Sequence, residues 1–344
     1  LSLFFALTLV LGIGFSAAAD SHQKDLSGRY VGYSWSGESK GVEFEEAAKF
    51  IETILELDQD GKILDAKMLY FVQKDGFWTT RQSGNAHVEV DFSVEPTAAV
   101  PGKNYQPGES MFTIYTADMM SFYASAVAED GTAAFAIVDP VTRYQYEIKL
   151  PADFDYQTEV KELKIGSEFV VPTTRTSGSG LEKPESWEEY ADENIFGVSF
   201  YSHVMREEGV FSDIEMSSTV QDLLAAAGVE FVDSEPQPKT ADYGYFGLGG
   251  WAGNYAAIED YLIGKNAQEV SSLVDWEKPG YQKGINEDNF FGVDTSSGAT
   301  KTVQNSFDGI SGATVRMSRE STSYQRALVA AGILAEEEVI KGRF

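Results

Sequence analysis

Between Arg29 and about Lys149 the hydrophobic positions either alternate with polar ones or form short unbroken apolar runs, the pattern of strands. Phe50 to Leu57 alternates, Asp60-Gly61 supplies a turn, and Ile63 to Val72 resumes the apolar pattern, which predicts a hairpin. A second hairpin is predicted from Phe122 to Ala128, a turn at Asp130-Gly131, and Ala133 to Val138. Asp139-Pro140 ends that run, and Tyr144, Tyr146 and Ile148 alternate after it. Between the hairpins, Glu95 to Glu109 holds Pro96, Pro101 and Pro107 and reads as loop. A second linker, rich in Ser, Thr and Gly, spans Thr173 to Pro184.

Helical spacing appears only beyond that linker. Thr219 is placed to cap a helix with Val220, Leu223 and Leu224 on one face and Gly228 as its stop. Glu235 to Lys239, with Pro236 and Pro238, is a break; Asn254 to Ile263 and Gln268 to Trp276 then read as two short helices. After Pro279-Gly280 and a Ser/Thr/Gly-rich stretch comes a last helix. Tyr324, Ala327, Leu328 and Ala331 share its apolar face, Ser318 or Ser321 caps it, and Gly332 stops it. The expected fold class is α+β, a twisted antiparallel sheet from the N-terminal half with helices of the C-terminal half packed on it. The chain divides into a leader (1–19), a strand-rich region (26–172), a linker and middle segment (173–240) and a helix-containing region (241–335).

Leu1 to Ala19 is uncharged and apolar and ends in Ala17-Ala18-Ala19, which predicts a cleaved secretory leader and a periplasmic or extracellular protein. The alternative is a membrane anchor; with cleavage, the mature chain is not an integral membrane protein. Cysteine is absent, so disulfides, thiolate metal sites, cysteine nucleophiles and a lipoprotein anchor are all excluded. The net charge of −28 argues against nucleic acid, whose phosphates need a basic surface. An acidic face steers a basic redox partner, or simply keeps the chain soluble in salt.

The sharpest motif is Asp308-Gly309-Ile310-Ser311-Gly312-Ala313-Thr314, just ahead of the last helix. Thr314 carries an aliphatic hydroxyl, and Gly312 and Ala313 beside it offer little steric bulk. Amides near a helix start suit an anionic group. Fourteen positions earlier, Asp294-Thr295-Ser296-Ser297-Gly298-Ala299-Thr300 repeats the same spacing without a helix directly after it. Thr314 and Thr300 are thus two candidate hydroxyls of the same kind.

Ser311-Gly312-Ala313-Thr314 resembles the flavinylation motif of the FMN-binding domain family, whose members include periplasmic subunits of sodium-pumping quinone reductase and Rnf-type complexes. Gly28-Arg29-Tyr30-Val31-Gly32, Leu55-Glu56-Leu57 and Asp60-Gly61-Lys62-Ile63 look like the family's opening strands. The resemblance covers about a third of the chain, and implies an FMN-binding-domain-like element with a large insertion or a separate module over about Gly76 to Thr240. It further implies covalent FMN, joined by its phosphate to the motif threonine by a flavin transferase that takes FMN from FAD. Because the family's motif is normally followed by a helix, the resemblance favours Thr314 over Thr300, with double occupancy left open. Asp308 would serve recognition by that transferase. The implied function is an extracytoplasmic electron carrier working with a cytochrome or membrane reductase. A non-redox cell-surface or periplasmic binding protein and a flavin-dependent reductase of a small acceptor are the alternatives.

Other signals are weaker. Gly247-Leu248-Gly249-Gly250-Trp251-Ala252 satisfies a dinucleotide fingerprint, yet no buried parallel strand precedes it and Trp251 would crowd a pyrophosphate. Tyr243, Tyr245, Phe246, Trp251 and Tyr255 are candidates for an aromatic wall beside a flavin, or for core filling. His22, His87 and His203 are scattered, and Asp58, Asp60 and Asp65 lack the order of a calcium loop.

Overall fold

The computed structural model describes residues 24–103, 108–116, 121–139, 141–176, 183–199, 202–206, 208–274, 317–342 and 344. The molecule is α+β, built on antiparallel sheets with three α-helices among the described residues. The first sheet takes β1 (Gly28–Trp35), β2 (Lys49–Leu57), β3 (Ile63–Lys74) and β4 (Phe77–Thr80) in the order β1-β2-β3-β4. The β2–β3 pair is the first predicted hairpin, and Gly61 at φ 82 supplies the left-handed turn residue. Period two sends Ile51, Thr53, Leu55 and Leu57 of β2 to one face, where each is buried.

The chain then builds a second sheet. The hairpin of β5 (Ala86–Val90) and β6 (Phe112–Thr116) packs beside a five-stranded sheet of β7 (Phe122–Val127), β8 (Ala133–Val138), β9 (Tyr144–Leu150), β10 (Val170–Arg175) and a later strand. Every residue of β7 and β8 is buried, which accounts for their unbroken apolar runs. Phe122, Ala124, Ala134, Ala136 and Val138 face the β5–β6 side, and Tyr123, Phe135 and Ile137 face a core completed by irregular segments and α1 (Val220–Ala226). Thr219 caps α1 through a full capping box with Asp222, and Gly228, at φ 82, follows its end, as predicted.

After a two-residue hairpin of β11 (Phe231–Val232) and β12 (Glu235–Pro236), β13 (Lys239–Tyr245) joins the edge of the five-stranded sheet beside β7. It leads into α2 (Gly250–Leu262), which returns to the first sheet and packs on β3. The last helix, α3 (Met317–Ala330), lies across β1 and β2. The first sheet and its two helices thus come from both ends of the chain, with the five-stranded sheet formed by what lies between.

Several predictions are corrected. The segment from Thr173 is not linker at its start, because β10 runs through Arg175. The described part of the helix expected from Gln268 is turn and coil. Ser318 and Ser321 do not cap α3 but lie inside it, since it already begins at Met317. Among the described residues no helix is long and apolar enough to cross a membrane. The apolar leader lies outside the described residues.

Candidate functional site

Thr314, Asp308, Ser311, Gly312 and Ala313, like Thr300, Asp294 and Ser297, lie outside the described residues. Helix α3, which follows Thr314 in sequence, is described from Met317 onward, and its setting is unusual for a polar helix start. Ser318, Arg319, Glu320, Ser321, Thr322 and Ser323 are all buried. A run of this composition reads as a solvated face. It is instead held by hydrogen bonds to three neighbouring elements.

On the sheet side, Ser34 Oγ donates to the Arg319 carbonyl at 2.8 Å, and the hydroxyls of Thr53 and Ser323 meet at 2.7 Å. Gly32 makes this approach possible: a Cβ there would sit 2.2 Å from the Ala327 nitrogen and 2.3 Å from the Ser323 carbonyl oxygen. From the segment after α2, Ser272 Oγ and Leu273 N reach Ser321 Oγ at 2.9 and 3.0 Å. From the C-terminal segment, Gly342 N donates to Thr322 Oγ1 at 2.8 Å, and a Cβ on Gly342 would lie 2.2 Å from the Ser318 carbonyl oxygen.

Beside the start of α3 stands a cluster of rings and cations. Tyr70 on the inner face of β3 makes edge contacts with Trp251 of α2 at 5.0 Å and with Phe344 at 5.4 Å. Arg81 follows β4, and its amide donates to the Tyr70 carbonyl at 2.8 Å, which continues the β3–β4 register and turns it to the same face. Its guanidinium carbon lies 4.6 Å from the Tyr70 ring centre and 4.9 Å from that of Trp251. Arg319 lies over the same two rings at 4.9 and 5.3 Å and over Phe344 at 5.7 Å. Such cation–ring contacts contribute about 0.5 kcal/mol when exposed and about 2 when desolvated.

The single carboxylate of the cluster is Glu320. Its Oε1 accepts from Tyr255 Oη at 2.8 Å and from Arg319 Nε at 3.0 Å. Burial opposes the charge on Arg319, but Glu320 and the neighbouring phenols outweigh it and hold the guanidinium charged. Burial, then Glu320, pushes the Tyr255 phenol far above its ordinary value, so Tyr255 stays a donor. Glu320 Oε2 and Ser318 Oγ are buried and have no hydrogen-bond partner among the described residues. Arg81 makes no ion pair with any described residue. The one carboxylate of the cluster is therefore bound by Arg319 and not by Arg81.

The five aromatics considered for a single wall separate. Tyr243 and Tyr245 pack on Phe122 at 5.4 and 5.5 Å, and Phe246 enters the core of the five-stranded sheet. Trp251 and Tyr255 belong to the cluster at α3. The glycine-rich stretch is a strand-to-helix turn, with Gly247, Gly249 and the first residue of α2, Gly250, at positive φ. Strand β13 ahead of it is antiparallel to its neighbour, unlike the parallel strand of a dinucleotide fold. Asp58 serves its own turn, accepting from the amides of Asp60 and Lys62. Among the described residues no group of His, Asp or Glu could hold a metal ion.

Tyr70, Arg81, Arg319, Glu320 and Phe344 were not legible as site residues, because they come from distant parts of the chain. The one local signal was the charged pair Arg319-Glu320 beside the apolar face of α3. Comparison of the chain with protein-family models, with curated proteins and with solved structures finds no match.

Proposed function

We propose that this chain is an exported flavoprotein that carries FMN through a phosphoester to threonine and relays electrons outside the cytoplasm. The observation that carries the reading is the motif Asp308 to Thr314, set directly ahead of α3. Attachment replaces the AMP portion of FAD at the flavin phosphate by the threonine oxygen, catalysed by a flavin transferase, with the threonine proton leaving on AMP. Three peptide units join Thr314 to Met317 and span at most about 11 Å. A flavin tethered there is thus within reach of the rings and cations at the start of α3.

That cluster is the part of the described fold that the start of α3 brings next to the motif in sequence. Arg81 and Arg319 place positive charge over the buried rings of Tyr70 and Trp251, and Ser318 Oγ and Glu320 Oε2 are buried polar atoms without partners among the described residues. When bound, the flavin supplies the electron chemistry, taking up two electrons and releasing them one at a time. The protein's part is to fix the ring, exclude water and set the potential. Tyr255 and Glu320 hold Arg319 in place, and α2 and α3 close the sheet behind it. A tethered cofactor also suits a compartment where free FMN is dilute, because a reversible site would empty there. The redox partner, a cytochrome or membrane reductase, would meet a strongly acidic protein.

The test is the visible spectrum of protein co-expressed with a flavin transferase, denatured and washed free of small molecules. Flavin absorbance that stays with the unfolded chain supports the reading; a colourless chain overturns it. In that outcome a non-redox binding role takes precedence, favoured by the aromatic outer face of the first sheet. There Phe50 stacks on Phe71 at 4.7 Å, and the neighbouring Trp78 and Phe77 are exposed.

A further inference from the structure

We propose that the outer face of the first sheet, the one turned away from α2 and α3, docks a segment of a partner protein rich in arginine or lysine. This docking face is independent of the flavin reading.

Strand register builds the face. Trp35, Phe50 and Phe71 are cross-strand neighbours on β1, β2 and β3, and Tyr33, Glu52 and Leu69 form the next row on the same side. The short turn Phe44–Glu46 adds a further ring, with Phe44 at 4.9 Å from Tyr33 and 5.2 Å from Phe50. Toward the other edge, Trp78 of β4 stands 5.0 Å from Phe50 and is 45% exposed. The remaining rings are half-buried, and none of the six belongs to a hydrophobic core of the described fold. The helices pack on the opposite face, where Ile51, Leu55, Met68 and Tyr70 are buried. A contiguous apolar layer of this kind, one side chain deep, marks an interaction surface.

Charge selects the partner. From Gly41 to Glu52 the chain holds four glutamates against one lysine, and Glu43, Glu45 and Glu46, on either side of Phe44, are exposed. Glu52 lies within the aromatic face, accepts from the Tyr33 hydroxyl at 3.0 Å, and makes no ion pair with any described residue. Rings edged by carboxylates repel nucleic acid and anionic lipid and attract organic cations.

The molecule shows this pairing once within itself. Arg326 of α3 passes the edge of β1, donating to the Tyr33 carbonyl at 2.9 Å, and its guanidinium carbon lies 4.8 Å from the Trp35 ring centre. The same guanidinium binds both oxygens of Glu38. Tyr33 with Glu52 repeats the combination of ring and carboxylate farther in, where the cation would come from the partner. Arginine suits it best, because a flat, weakly hydrated guanidinium stacks on a ring and bonds a carboxylate at once. Four strands about 4.8 Å apart make the face about 14 Å wide, room for several side chains of one segment rather than a single small cation.

The probe is a fluorescent, amidated peptide of alternating arginine and leucine, with serine–leucine and glutamate–leucine peptides as controls, titrated with the full chain by anisotropy. The arginine peptide should bind. Trp78→Ala, and the triple variant Glu43→Gln with Glu45→Gln and Glu46→Gln, should each weaken it about tenfold. All four side chains are exposed, so both variants should keep the wild-type urea midpoint within a few tenths molar. Tyr115→Ala, which removes a 61% exposed ring from β6, should leave the affinity unchanged. Raising salt from about 0.05 to about 0.5 M should weaken binding about tenfold. Absence of binding, equal binding of the serine or glutamate peptide, or full affinity in Trp78→Ala overturns the docking face. Self-association of the wild-type chain that Trp78→Ala abolishes also overturns it, and gives the face to a second copy. A chain without flavin that binds the arginine peptide with this pattern sustains the docking face while the flavin reading fails.

Discussion

Gly32→Ala tests whether α3 is seated on β1 as tightly as the candidate site requires. The added methyl would lie 2.2 Å from the Ala327 nitrogen, 2.3 Å from the Ser323 carbonyl oxygen and 2.6 Å from the Arg326 carbonyl carbon. All three are backbone atoms, so no side-chain rotation relieves the clash, and the helix must retreat from the strand by more than an ångström. Overpacking of this kind costs about 1–3 kcal/mol. The retreat also stretches the Ser34–Arg319 and Thr53–Ser323 hydrogen bonds, now 2.8 and 2.7 Å, each contributing about 1 kcal/mol net. The sum is about 3–5 kcal/mol of the unfolding free energy, read as a lower urea midpoint at unchanged slope. Gly84→Ala is the matched control, because a Cβ there meets nothing within 4 Å and its φ is not positive. A Gly32→Ala midpoint equal to that of Gly84→Ala would refute the seating of α3 on β1.

Thr219→Ala removes the capping box of α1 and should cost about 1 kcal/mol in the same urea titration. Tyr255→Phe deletes a donor to the buried Glu320 carboxylate and should cost about 1.5–3 kcal/mol, more than Tyr30→Phe, whose half-buried phenol donates to the neutral Leu26 carbonyl. In alkali, burial raises the Tyr156 phenol to about 12 and also raises Tyr324 and Tyr255 above the ordinary 10.0. Because the folded values lie above the unfolded one, their contribution is complete below about pH 10 and is lost as pH rises toward 12 and beyond. A spectroscopic titration should therefore show a late group of phenols ionising together with unfolding; a single transition near 10 with the fold intact would contradict their burial.

Where local pattern and tertiary demand agree, the sequence was readable. The β2–β3 and β7–β8 hairpins carry Asp-Gly turns between apolar strands, and α1 carries its own cap and stop. Strands β5 and β6 escaped notice because Ala86–Val90 and Phe112–Thr116 are short and half polar, and they pair across an intervening loop rather than a tight turn. Strand β10 was hidden by Pro172 and two threonines, residues tolerated because it is an edge strand beside β9. The start of α3 misled most. Its polar residues satisfy one another's neighbours in a buried setting that only β1, the post-α2 segment and the C-terminal segment together create. The same holds for the ring-and-cation cluster, whose members Tyr70, Arg81, Trp251, Arg319 and Phe344 converge only in three dimensions. The motif Asp308 to Thr314 is a pattern of sequence alone, and the functional proposal rests on it.

The central claim is covalent FMN on a threonine, and intact-mass analysis of the chain co-expressed with a flavin transferase tests it most directly. Peptide mapping should place one FMN phosphoester on Thr314, and Thr314→Ala should abolish the adduct while Thr300→Ala retains it. An adduct retained by Thr314→Ala and lost in Thr300→Ala would move the site to the upstream motif. A chain of unmodified mass under those conditions would contradict the account.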